Sequence, residues 1–319
     1  MRTSPLSQHG GSRERMTAAI ALLALVSLTA CTPAADLSNA ATEAAPSGAG
    51  APSPEGLVAF GASTTGEPDI MTIALDGSGR TSVTDDPAFD ACPAFTPDGS
   101  TILFCSDRSG TYQVWAIGAD GSDPRQVTDI GSALFPDVSP DGSLVAFCGL
   151  ADGEPEETED LWVVGIDGSD PHPISDTPGG FDCYPSWSPD GSMLAFVSDR
   201  SGSPQLWLAA ADGSDPHALT TDAVDVTQVP DWSPDGRTIA YAAAGDVWLI
   251  EADGTDPHAI TADDVLEFSP AWTGDGSAIV YRKAADDLTE LWIMAADGSG
   301  ARVLSAEPAE NAFKPTVSW

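Results

Sequence analysis

Three histidines each follow an Asp-Pro pair: His172, His217 and His258. A zinc site needs three or four such ligands converging on one point. Arg125 follows a fourth Asp-Pro, so the position accepts a cation that ligates nothing. The Asp-Gly-Ser-Asp segments, such as Asp120 to Asp123 and Asp212 to Asp215, carry oxygen donors suited to calcium. Each lacks the further acidic ligands and the bidentate Glu of a calcium loop, and Asp followed by Gly is ordinary turn chemistry. There is no Gly-x-Ser-x-Gly elbow and no glycine-rich phosphate loop opening a helix. These readings predict no catalytic residue, no metal and no cofactor. The acids Asp90, Asp182 and Glu267 and the cysteines Cys31, Cys92, Cys105, Cys148 and Cys183 remain. What they do depends on the elements that carry them.

Those elements repeat. Pro185 to Thr220 contains four short apolar strands joined by the turns Ser188–Gly191, Asp199–Gly202 and Asp212–Pro216. Four strands linked by tight turns form a meander, the unit of a β-propeller blade. Copies open at Pro93-Ala94-Phe95, Pro136-Asp137-Val138, Pro185-Ser186-Trp187, Pro230-Asp231-Trp232 and Pro270-Ala271-Trp272, spaced 40 to 49 residues apart. A first copy begins at Leu57 without an opening strand, and Lys314 to Trp319 supplies one at the far end of the chain. The expected fold is all-β: a six-bladed propeller over residues 55–319, its first blade closed by the C-terminal strand. All nine tryptophans fall at repeat positions, so packing between blades accounts for them.

The repeat gives the remaining residues places. Pairing about the Pro97–Ser100 turn sets Thr96 opposite Thr101, and counting outwards brings Cys92 opposite Cys105. Cys148 repeats the Cys105 position one blade on, and Cys183 precedes the next opening strand. The expected disulfides are Cys92–Cys105 and Cys148–Cys183, with buried free thiols as the alternative. Asp90, Asp182 and Glu267 each stand three residues before an opening Pro. The loops leading into the opening strands converge on the central channel, so these acids are candidates for a negative channel mouth that receives a basic peptide, an amine or a cation. The alternative is that each acid caps its own turn.

The recurring Pro-x-Trp-Ser-Pro-Asp-Gly, Ser-Asp-Arg-x-Gly, Leu-Trp and Ala-Asp-Gly-Ser segments resemble the TolB-like β-propeller repeat, over residues 57 to 319. The resemblance implies a six-bladed propeller. TolB is a periplasmic protein-interaction component with an additional N-terminal α/β domain, where the expectation for this chain is only a short tether.

Arg13 and Arg15 precede an apolar run from Ala18 to Leu28, as in a secretory signal over residues 1–30. Leu28-Thr29-Ala30-Cys31 resembles the lipobox of bacterial lipoproteins, which implies lipidation of Cys31. Residues 31–54 are Ala-, Pro-, Ser- and Gly-rich and read as a disordered tether. The formal net charge of −37 excludes nucleic acid and anionic lipid as partners of the domain. The expected protein is therefore a monomeric lipoprotein on the extracytoplasmic face of the cell membrane, reaching the membrane only through its lipid. Its propeller serves as a non-catalytic scaffold for a protein or peptide, with a basic one suited to the charge. The alternatives are a propeller enzyme such as a polysaccharide lyase, and a small-ligand or cation sensor at the channel mouth.

Overall fold

The computed structural model describes residues 56–319 apart from 64–65, 155–157, 179, 222–225, 227, 286–287, 306–309 and 319. Cys31, the signal over 1–30 and the tether over 31–54 lie outside the described residues. Twenty-four strands form six four-stranded antiparallel sheets among the described residues. Blade 2 shows the plan: β4 (Asp90–Phe95), β5 (Thr101–Ser106), β6 (Gln113–Gly118) and β7 (Arg125–Gln126) pair in sequence order. Blade 3 runs from β8 (Ser132–Val138) through β9 (Leu144–Leu150) and β10 (Asp160–Gly165) to β11 (His172–Pro173). Blade 4 runs from β12 (Asp182–Trp187) through β13 (Met193–Ser198) and β14 (Gln205–Ala210) to β15 (His217–Ala218). Blades 5 and 6 open with β16 (Asp231–Trp232) and β20 (Glu267–Trp272).

Blade 1 is built from both ends of the domain. Its sheet order is β24 (Glu310–Val317), β1 (Leu57–Ser63), β2 (Asp69–Ala74), β3 (Thr81–Ser82). Val58 lies opposite Val317 and Ala59 opposite Thr316. The Ser318 hydroxyl accepts the Leu57 N–H at 3.0 Å, and the Ser318 N–H donates to the Leu57 carbonyl at 2.9 Å. The expected closure is present, and it removes the free edge that an open ring would leave.

The core lies between blades. Trp187 packs with Ala146 and Val163 of blade 3, and Trp272 with Ala240, Val247 and Leu249 of blade 5. The turns interlock in the same way. Gly191 has φ +71°, and a Cβ built there would stand 3.6 Å from Cδ of Pro140 in the preceding blade. Asp190 fixes that turn by accepting the Ser192 N–H at 2.9 Å and its hydroxyl at 2.7 Å.

The opening strands carry a bulge. Proline has no N–H to give the ladder and disfavours a helical residue before it. In four blades the residue before the opening Pro takes positive φ: Cys92 (55°), Phe135 (52°), Tyr184 (60°) and Ser269 (46°). Pairing shifts there, between Ala91 and Ala94 in blade 2 and at the equivalent places in blades 3, 4 and 6.

The bulge corrects one cysteine assignment. It puts Ala91, not Cys92, opposite Cys105, because counting outwards from the turn omits the extra residue. Cys92 and Cys105 are free, buried thiols, and Cys105 Sγ donates to the Ala91 carbonyl at 3.2 Å. Burial, and then contact with Cys92, push the Cys105 thiol well above its ordinary pKa. Cys148 and Cys183 are bonded, joining β9 of blade 3 to β12 of blade 4, with Cα atoms 4.9 Å apart.

Candidate functional site

Asp90, Asp182 and Glu267 begin the opening strands of blades 2, 4 and 6, and all three are buried. Each meets a base from its own blade. Arg108, in the turn after β5, donates Nη2 to Asp90 at 2.6 Å and to Asp86 at 2.7 Å. Its guanidinium lies over Phe104 and Trp115, 5.2 and 5.0 Å from their centroids. Arg200 repeats the arrangement in blade 4, with Asp182 at 2.5 Å, Phe196 at 5.5 Å and Trp207 at 4.9 Å. In blade 6, Lys283 donates to Glu267 at 2.8 Å and also pairs with Asp263. Burial alone would lower the Lys283 ammonium's pKa, but the bonds to Asp263 and Glu267 raise it.

The expected acidic mouth is therefore corrected. The three acids share an end of the ring, but none opens onto a channel, and each is compensated inside its blade. Asp90 shows what that costs. Burial raises its pKa, while Ser106 and the Arg108 guanidinium oppose the rise. The signal for this pairing was present in the Ser-Asp-Arg segments, whose Arg falls where the buried carboxylate needs a partner.

A cavity of about 280 Å³ lies at the other end of the opening strands. The middle residues of the Pro-x-aromatic triplets give it its polar character. Reading round the ring from blade 1 they are Thr316, Ala94, Asp137, Ser186, Asp231 and Ala271. All except Ala94 line the cavity, and Pro97, Pro140 and Pro189 from the following turns form part of its wall. Its charged lining side chains are Asp137, Asp231 and Lys314.

The two aspartates are held by main chain of the next blade. Asp137 Oδ2 accepts the Trp187 N–H at 2.8 Å, and Asp231 Oδ2 accepts the Trp272 N–H at 2.6 Å. Lys314, carried by β24, donates Nζ to the Pro136 carbonyl at 3.2 Å. Burial raises the pKa of both carboxyls, and the Lys314 charge opposes the rise at each. Asp231 is pushed up to about 7, first by burial and then by the Asp137 charge, although the Trp272 amide counteracts both. The sequence reading did not single out Asp137, Asp231 or Lys314. The signal was an acid in two of six otherwise small, uncharged triplet positions.

The three histidines sit on separate blades. His172, His217 and His258 start the fourth strands and are exposed, each with Nδ1 about 3 Å from the carbonyl of the Asp two residues earlier. Among the described residues, no three His, Cys, Asp or Glu side chains come together to hold a metal.

The family described as the TolB beta propeller domain matches residues 35–156 and 130–318. A TolB homologue of Chlorobium luteolum is 29% identical over 146 residues, covering 34% of each chain. An uncharacterized protein of Agrobacterium fabrum is 32% identical over 138 residues, covering 40% of this chain and 46% of its own. The matched stretch thus spans less than half the length of these relatives. The crystal structure of TolB from Acinetobacter baumannii superposes with a TM-score of 0.71 at 21% identity, over 82% of this chain and 66% of that one. At that identity the likeness shows the fold.

Proposed function

This chain belongs to the family of TolB β-propeller domains, and from that premise we propose that it is an exported, non-catalytic scaffold that binds a protein or peptide at the centre of its ring. The observation that carries the reading is the cavity between the opening strands. It combines proline and tryptophan walls with two partly buried carboxylates, a mixture of apolar surface and few polar groups that suits a binding pocket. The rigid ring supports it from all six blades, so little ordering is lost on binding. The acidic charge of the chain favours a partner with basic groups. Lipidation of Cys31 and a tether over 31–54 would hold the monomeric propeller on the extracytoplasmic face of the membrane, within reach of envelope proteins. Two acyl chains make such anchoring stable where one does not.

The test is site-specific photo-cross-linking in intact cells. A benzophenone amino acid replaces Pro140, an exposed residue on the cavity rim, and a control probe replaces Ser201, in the turn at the opposite end of blade 4. Discrete protein adducts from position 140 and none from 201 are expected. Absence of adducts at 140, or turnover of an envelope polymer by the purified protein, would overturn the reading.

A further inference from the structure

The cavity is one positive charge short. Its charged lining groups are two carboxylates and one ammonium, so the fully ionised site carries a net charge of −1 within partly buried walls. The aspartates also act as clasps for the next blade's amide, and that role alone would not call for charge. Four of the six equivalent positions are Ala94, Ser186, Ala271 and Thr316, so the ring closes at those junctions without an acid. An asparagine would accept the same amide without an ionised group to desolvate. Each carboxylate also has acceptor capacity beyond the main-chain N–H bonds it receives, from Trp187 and Val138 at Asp137 and from Trp272 at Asp231.

A second observation comes from the chain itself. Lys314 already places an ammonium in this cavity, held by the Pro136 carbonyl and attracted by both aspartates. Its presence shows which chemistry the walls accept: methylenes against proline and indole, with a charged head among oxygens. The volume is at the small end for ligand pockets and fits a single side chain better than a whole cofactor.

We infer that the cavity is a seat for a lysine side chain of the bound partner, placed between Asp137 and Asp231, with Lys314 as the built-in cation against which it competes. The inference rests on the scaffold reading above and names the chemistry of that site. In the empty protein the uncompensated charge is met by a proton, since Asp231 titrates at about 7. The other charges facing it are Asp137 from blade 3 and Lys314 from blade 1. Binding a cation favours the ionised carboxylate, so the site releases a proton as it fills. Affinity then falls as the pH drops below about 7, by up to a factor of ten per pH unit.

Fluorescence anisotropy on the purified full-length protein tests this, using labelled acetyl-Gly-Gly-Lys-Gly-Gly-amide and its acetyl-lysine twin. At pH 8 the lysine peptide is expected to bind at least tenfold more tightly. In Asp137→Asn/Asp231→Asn that ratio should fall to about one while the melting temperature holds or rises. In Asp120→Asn, a change at an exposed turn, the ratio should persist. Lys314→Met should tighten the lysine peptide severalfold. Equal binding of the twins, no binding of either, or an undiminished ratio in the double variant would overturn the lysine seat. Weaker or unchanged binding in Lys314→Met would overturn the competitor role. The cross-links at position 140 separate the two failures. Adducts that persist in the double variant leave the scaffold reading standing without the seat, whereas a wild type that gives none sinks the reading itself.

Discussion

The two ends of the opening strands hold acids under opposite conditions. Asp90, Asp182 and Glu267 are the more deeply buried, yet each is directly ion-paired with a cation of its own blade that lies over that blade's aromatics, although Arg108 and Lys283 also reach Asp86 and Asp263. Asp137 and Asp231 are only partly covered, yet they share one lysine delivered by a different blade. Depth of burial therefore does not mark the site. Direct pairing does: an acid in contact with its own blade's cation is finished structure, and an acid held by main chain beside a cavity leaves room for something else.

The sharpest way to break this contrast is to remove compensation where it is complete. Arg200→Met strands the Asp182 carboxylate in the core, and a loss of about 3–5 kcal/mol in unfolding free energy by urea titration is expected. A cost near that of an exposed ion pair, below about 1 kcal/mol, would show that the matched acids are not structural.

The next effect has the opposite sign. The folded-state pKa of Asp231 is raised from 3.8 to about 7, so the folded protein holds a proton that the unfolded chain has lost. Its contribution favours the fold at low pH and is lost as pH rises from about 4 to 7. Asp231→Asn keeps the acceptor for Trp272 and removes the charge. It should stabilise the protein by up to about 4 kcal/mol at pH 8, with the gain vanishing near pH 4. Thermal melts across that range check both the sign and the window. Destabilisation at pH 8 would mean that the charge itself secures the blade junction. The smallest effect belongs to acids that belong to neither class. Asp190→Ala removes three hydrogen bonds from an exposed turn, those of the Ser192 N–H and the Ser192 and Ser188 hydroxyls, and should cost about 1 kcal/mol, with no change in the lysine-peptide ratio.

The ring was legible in the sequence because it is written six times. Asp-Gly after five of the six opening strands and Trp in five of the six third strands fix register, and the opening strand missing before Leu57 reappears at Lys314. The cysteine pair in blade 2 was misjudged for a local reason, since a bulge before proline adds a residue that a simple hairpin count does not see. The acids were misjudged for a non-local one. Asp182 and Arg200 are 18 residues apart and meet only because β12 and β13 run antiparallel. Asp137 and Asp231 stood in view within their triplets, but their facing each other across blade 4 is a property of the closed ring.

Closure also sets an order of events. Gly56 and Ser318 are 262 residues apart in the chain and bonded in space. Until β24 arrives, β1 is an unpaired edge, able to recruit strands from other molecules. Contacts this distant form late, because the intervening loop must first be brought together. The same strand brings Lys314. The charge balance of the cavity is thus completed in the step that removes the exposed edge, and a partner that reads this cavity distinguishes a finished ring from a chain still in assembly.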